Sequence, residues 1–177
     1  YLASRIGGLD MREWVARRIF APLGMKRARW TLAAPAGTAD VTPYDLVDGR
    51  PAPVEPVGMP DWSAGAIHAS AADMARYVAA CADGGGAMLT PASMAQMLDM
   101  QAPAKLAPWL SGQGLGWQAA LLDGVPRPNH WGGDPGVFTA AYLDPERRRG
   151  VVVLTNASVT PAARDAIKAI AGRLLGD

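Results

Sequence analysis

The chain is short of several things. One cysteine in 177 residues rules out an internal disulfide. That residue, Cys81, lies in an alanine-rich stretch that reads as a helix, where a thiol packs as a small apolar group and is not a nucleophile. There are two histidines, His68 and His130. Neither has metal-ligand spacing to the other or to Cys81, so no zinc site is expected, and no cofactor is implied. The formal net charge is +1, and no field of one sign argues for nucleic acid or an anionic membrane as partner. The basic run Arg147-Arg148-Arg149 reads as a solvated turn. No apolar run approaches the roughly 20 residues of a membrane-spanning helix. No signal peptide is visible. The first residue is Tyr1, and Tyr1-Leu2-Ala3-Ser4-Arg5-Ile6 reads as the middle of a longer chain, so further sequence is expected upstream.

What is present suffices for a core: 50% of the residues are hydrophobic and 19% charged, which suits one domain or a large part of one. Asp10-Met11-Arg12-Glu13 has the form of a capping box and opens a helix through Trp14, Val15 and Arg18 to about Phe20, ended by Pro22 and Gly24. From Trp30 to Trp62 the chain is rich in Pro, Gly and Ala without a period, an irregular stretch of the kind that walls a site. Ser70-Ala71-Ala72-Asp73 opens a second helix, with Met74, Tyr77, Val78 and Cys81 at helical spacing and Gly84-Gly85-Gly86 as its stop. Thr90-Pro91 opens a third, whose Met94, Met97 and Leu98 are read as core.

After Pro108 the character changes. Strands are expected over 114–122, over a short 129–131, over 137–143 and over 150–156, the last from its β-branched run. Asp123-Gly124 is a tight-turn signal, and 144–150 reads as a turn. Trp117 and Phe138 alternate into the sheet as core. Thr160-Pro161 opens a closing amphipathic helix with Ala163, Ile167, Ile170 and Leu174 on one face. The order of elements gives an α+β fold, an antiparallel sheet flanked by helices, with the last helix on the sheet. Residues 1–108 are mostly helix and loop, and 109–177 are strands plus the closing helix.

The densest local pattern is His130-Trp131-Gly132-Gly133-Asp134-Pro135-Gly136. Gly132, Gly133 and Gly136 let backbone approach a bound group closely. A backbone N–H exposed at a strand edge can serve as an oxyanion donor, and a neighbouring histidine can hydrogen-bond a ligand or move a proton near neutral pH. A glycine-rich bulge with a surface histidine is the alternative reading.

Three stretches together carry a resemblance: Arg18-Ile19-Phe20-Ala21-Pro22-Leu23-Gly24-Met25; Ser63 to Tyr77, with Asp73-Met74-Ala75; and Leu115-Gly116-Trp117 followed by His130-Trp131-Gly132-Gly133 and Gly150 to Asn156. In their order and spacing they resemble the serine β-lactamase and penicillin-binding-protein superfamily, in its class C-like branch. The resemblance implies a β-lactamase/transpeptidase-like domain of which residues 1–177 are the C-terminal part. It also implies an acyl-enzyme mechanism on a small-molecule ester, amide or peptide. It puts His130-Trp131-Gly132 at the third motif of that superfamily, which makes Gly133 N–H the oxyanion donor and His130 a cleft residue. Some related carboxylesterases carry Trp-Gly-Gly here, so Trp131 is the alternative motif residue. Trp131 and Gly132 are then substrate contacts, and Arg164 falls where class C relatives present an arginine near a substrate carboxylate.

The departures are as informative. No serine of the chain has lysine three residues on, and no tyrosine has asparagine two residues on. The superfamily's Ser-x-x-Lys nucleophile motif and Tyr-x-Asn loop are therefore missing, and are expected before Tyr1. A nucleophile needs its base within hydrogen-bond reach, so these residues alone are expected to be inactive as a serine hydrolase. With histidine or tryptophan where the motif has lysine, the resemblance points to an esterase or peptidase in preference to an efficient β-lactamase. A truncated or decayed relative acting as a binding module is the rival reading.

Overall fold

A computed structural model describes residues 1–30, 40–55, 62–101 and 105–176. Its elements run α1 (Leu2–Gly7), α2 (Met11–Val15) continued by a π-helical turn (Ala16–Phe20), the hairpin β1 (Tyr44–Val47) and β2 (Arg50–Pro53), α3 (Ala71–Ala82), α4 (Pro91–Leu98), then β3 (Gly112–Gln113), β4 (Gln118–Leu122), β5 (Val125–Asp134), β6 (Val137–Asp144), β7 (Arg149–Thr155) and α5 (Pro161–Gly176). The last five strands form one antiparallel sheet in chain order. This is the mixed helix and antiparallel-sheet fold that the order of elements implied.

The sheet is covered on both faces because its strands alternate. From β6, Phe138, Ala140 and Tyr142 point to a core closed by Ile167, Ala171 and Leu175 of α5. Ala141 and Leu143 point the other way, to a core with Val78, Cys81 and Met94 of α3 and α4. Trp117 and Phe138, read as core, are both buried. So is Cys81, and burial pushes its thiol up to about 11.

Helix starts follow local chemistry. Ser70 Oγ accepts from Asp73 N–H at 3.1 Å, and Thr90 Oγ1 accepts from Ser93 N–H with Pro91 in the first turn. The Asp73 carboxylate does not reach back as a capping box would; it accepts from Arg27 N–H at 2.8 Å, which ties α3 to the segment after the first helices. Asp10 likewise caps by accepting from Arg12 N–H, while Glu13 pairs with Arg17 instead of closing the box.

Several boundaries differ from the sequence reading. Residues 114–117 are a turn, closed by Gly114 N–H to Trp117 O at 2.7 Å, so the strand expected over 114–122 starts at Gln118. The stretch expected as a short strand over 129–131 is ten residues long. Pro126 and Pro128 are tolerated there for a geometrical reason. They sit opposite Leu121 and Ala119, positions whose nitrogens face away from β4 when the two-residue turn closes on Leu122 and Val125. Pairing with β6 begins only at Asn129, so neither proline removes a ladder bond. The stretch from Trp30 to Trp62 contains the β1–β2 hairpin, whose Asp48 and Gly49 both take positive φ. The parts of that stretch at 31–39 and 56–61 lie outside the described residues.

Candidate functional site

The glycine-rich end of β5 runs past its neighbour. β4 stops pairing at Gln118 with Asn129, while β6 continues to pair through His130–Ala141, Trp131–Ala140, Gly132–Thr139, Gly133–Phe138 and Asp134–Val137. Counting back from the turn at Pro135-Gly136, the pairs alternate between bonded and open. The Asp134, Gly132 and His130 pairs are bonded to β6; the Gly133 and Trp131 pairs are open. Counting from the β4 turn gives the same parity. Thr155 Oγ1 donates to Phe138 O at 2.8 Å, which places that carbonyl on the far side of β6 from Gly133. The N–H and C=O of Trp131 and Gly133 therefore face the edge that β4 has left. No backbone partner meets either N–H among the described residues.

Side chains alternate across this edge. Trp131 packs with the α5 core, edge-to-face on Phe138 at 6.1 Å, and the Arg164 guanidinium lies 4.9 Å from the Trp131 ring centre. His130 and Gly132 share the face of Ala141 and Thr139, which is the α3/α4 side. There His130 is exposed. The structure thus brings Trp131 and Arg164 together and sets His130 on the opposite face of the sheet, with Gly133 N–H in the plane between. A Cβ at Gly132 would meet only Thr139 Oγ1 at 3.4 Å, and one at Gly133 would meet nothing closer than Phe138 Cδ2 at 3.6 Å. This end of the strand is roomy as well as unpaired.

A network that the sequence did not disclose holds the hairpin tip. Gly136 N–H donates to Ser158 Oγ at 2.7 Å, Ser158 N–H donates to Tyr44 O and Tyr44 N–H to Asn156 O, both at 2.9 Å. Asn156 Nδ2 donates to Thr42 O at 2.9 Å. Segment 42–44 and loop 156–158 thereby clamp the turn that follows Gly133, and Val159 Cγ1 lies 3.7 Å from where a Gly133 Cβ would stand. These contacts join residues far apart in sequence, so no local pattern announces them.

His68 is held through its backbone, in a two-bond bridge with Arg29 at 2.9 Å. Among the described residues no cluster of His, Cys, Asp or Glu could hold a metal ion, and no helix is long and apolar enough to cross a membrane.

The fold corresponds to a known class. A sequence profile of the Beta-lactamase family matches residues 1–174, and the chain belongs to that family. Its structure is similar to an octameric penicillin-binding protein homologue from Pyrococcus abyssi, with TM-score 0.79 and 24% identity over 98% of this chain and 40% of that one. It is similar to a class C β-lactamase from Rhodobacter sphaeroides, with TM-score 0.72 and 20% identity over 98% of this chain and 56% of that one. A D-amino acid amidase from Ochrobactrum anthropi SV3, solved with L-phenylalanine amide, gives TM-score 0.71 and 22% identity over 88% of this chain and 46% of that one. At these identities the likeness establishes the fold. The chain spans about half the length of these structures or less. No curated protein matches the sequence.

Proposed function

We propose that these residues form the oxyanion-bearing part of a class C-like serine hydrolase that opens an ester or amide through an acyl-enzyme. The observation that carries the reading is the free edge of β5, where Gly133 N–H points out of the sheet with no β4 neighbour. A donor fixed in a strand needs no reorganisation when charge develops on a carbonyl oxygen, and this is usually the largest single term in such catalysis.

In this scheme a serine preceding Tyr1 attacks the carbonyl carbon. The C=O electrons move onto the oxygen that Gly133 N–H holds, and the bond to the leaving group breaks as that group takes a proton. Water then repeats the sequence on the ester so formed. Lysine and tyrosine from the same missing part move the protons. His130 lines the site from the α3/α4 side. Trp131 and Gly132 contact the substrate along the strand, and Arg164 receives an anionic substrate group. The absence of lysine at the third motif favours an ester or peptide over a β-lactam, whose carboxylate that cation ordinarily meets. The D-amino acid amidase solved with L-phenylalanine amide is a structural neighbour in keeping with this choice.

Two experiments test the reading. The 177 residues alone are expected to form no adduct with a penicillin or a fluorophosphonate, and an adduct would overturn the assignment of the nucleophile. In a longer product of the same gene, Gly133→Pro removes the edge N–H and also sets its ring at that edge with φ fixed at about −65°. It is expected to slow acylation roughly 10²–10³-fold, with Gly133→Ala as the folded control. The reading of a non-catalytic relative rests on the absence of Ser-x-x-Lys and Tyr-x-Asn from these residues. It would be favoured if no upstream segment supplied them.

A further inference from the structure

Three aspartates of the chain are followed directly by glycine: Asp48-Gly49, Asp83-Gly84 and Asp123-Gly124. Such a step carries a reaction of its own. With no side chain on the glycine, its backbone nitrogen can reach the aspartate Cγ and close a five-membered imide. Closure needs Cγ in line with that nitrogen, which the left-handed conformation of Asp48 and Asp123 does not offer. Those two turns therefore react only when they open, and the rate follows the open population. The three steps differ in what must break. Asp83 N–H donates to Ala79 O at 2.9 Å, and its carboxylate pairs with Arg148. Asp123 turns between two strands of the five-stranded sheet, beside the buried Leu122, and its carboxylate lies against Gly172 of α5. Asp48 is exposed and has no ion pair among the described residues. It turns a sheet of two strands only. A two-residue turn leaves alternate pairs bonded. Val47–Arg50 and Asp45–Ala52 thus carry the ladder, while Pro51 and Pro53 stand in the open pairs. Outside this ladder, the only backbone bonds that residues 44–53 make among the described residues are those of Tyr44 at the base. A hairpin held in this way is marginal in water.

We propose that Asp48-Gly49 is a site of spontaneous backbone isomerisation, and that the converted turn loosens the clamp beside Gly133. The Gly49 nitrogen attacks Cγ of the protonated Asp48 carboxyl. The N–Cγ bond forms, the Cγ–OH bond breaks, and the hydroxyl leaves with the amide proton as water. Water then adds to the imide. Addition at the main-chain carbonyl carbon of Asp48 breaks its bond to the Gly49 nitrogen and leaves the chain running through Cγ, an isoaspartate. Addition at Cγ restores Asp48. Nothing is oxidised or reduced, and the only reactant is water. The isoaspartyl chain is one carbon longer in a turn whose geometry fits two ordinary residues, so the Val47–Arg50 pair loses its register. The same strand carries the clamp at its other end. Tyr44 N–H donates to Asn156 O, Tyr44 O accepts from Ser158 N–H, and Ser158 Oγ accepts from Gly136 N–H. Fraying of β1 therefore reaches the hairpin tip that follows Gly133. The reaction needs no nucleophile from another segment, so it goes beyond the hydrolase reading.

The test is ageing of the folded chain in heavy-oxygen water at neutral pH, with peptide mapping of isoaspartate and of the oxygen label that each ring opening inserts. Asp48 is expected to convert about tenfold faster than Asp83 or Asp123, the ratio that a difference of about 1.4 kcal/mol in opening sets. In urea the three are expected to convert at similar rates, which ties the difference to the fold. Asp48→Asn keeps the turn chemistry and is expected to convert faster, with loss of ammonia. Asp48→Glu, whose ring would have six members, is expected to take up no label there. Hydrogen exchange at the Gly136 amide should quicken in the converted chain and stay slow in aged Asp48→Glu, with circular dichroism confirming that both variants fold. Equal native rates at the three aspartates, or faster conversion at Asp83 or Asp123, would overturn the site. Unchanged exchange at Gly136 in the converted chain would overturn its link to the clamp. None of these outcomes depends on hydrolysis, so failure here leaves the assignment of Gly133 untouched.

Discussion

A methyl group at residue 136 has nowhere to go. Gly136 sits at φ +80, and a Cβ there would stand 2.5 Å from Pro43 Cβ. Gly136→Ala should therefore destabilise by about 1–3 kcal/mol in urea unfolding, whereas Gly133→Ala, with room around it, should change little. Cys81 gives a second test. Its thiol is expected to resist iodoacetamide at pH 8 and to react only on unfolding or as pH nears 11. The unfolded thiol ionises near 9 and the folded one near 11. The stability it contributes is whole below pH 9 and lost as pH rises between those values, so Cys81→Ala should flatten that part of an alkaline stability profile. At this scale the sequence was legible wherever a residue's own chemistry decides. An apolar thiol in an alanine-rich helix is buried, and adjacent strand residues such as His130 and Trp131 must face opposite ways. Ser158 was not legible, because its importance comes from Gly136, which only the folded chain brings near.

Elements were legible where turn and cap chemistry is local. Ser70, Thr90-Pro91 and Asp123-Gly124 each mark a boundary that the structure keeps. The same signal at Asp48-Gly49 was hidden in a stretch with no hydrophobic period, since β1 and β2 leave most of their residues half-buried or exposed. β5 extends beyond the expected 129–131 across Pro126 and Pro128, and only the register shows that their nitrogens face no ladder partner. The clamp on the β5–β6 hairpin makes a prediction of its own. Ser158→Ala should cost about 1 kcal/mol, the usual net value of one hydrogen bond, and should speed hydrogen exchange at the Gly136 amide. Ser158→Thr should restore the protection. Equal protection in Ser158→Ala would remove the clamp from the description of the site.

In the whole molecule, the sheet separates two cores, one under α5 and one under α3 and α4. A third cluster, of Val15, Phe20 and Met25, gathers around the first helices. A buried charge links the sheet's strands at one end: Asp144, 1% exposed, has Arg127 Nη1 at 2.7 Å and Arg147 Nε at 3.9 Å. Arg127→Met leaves that carboxylate nearly unpaired and should cost about 3–5 kcal/mol in chemical denaturation. The fold was legible as a whole because helix-then-meander-then-helix admits few arrangements. The site was legible only in part. The glycine run and its register point to an exposed donor, but no serine of the 177 residues has lysine three positions on, so the sequence offers no partner motif for it.

The decisive measurement is fluorophosphonate labelling of the product of the complete reading frame that contains these residues, with peptide mapping of the adduct. One adduct is expected, on a serine preceding Tyr1 and followed three residues later by lysine, and it should be slowed by Gly133→Pro. No adduct, or an adduct on any serine of the 177 residues, would contradict the assignment of this edge as half of a hydrolase active site.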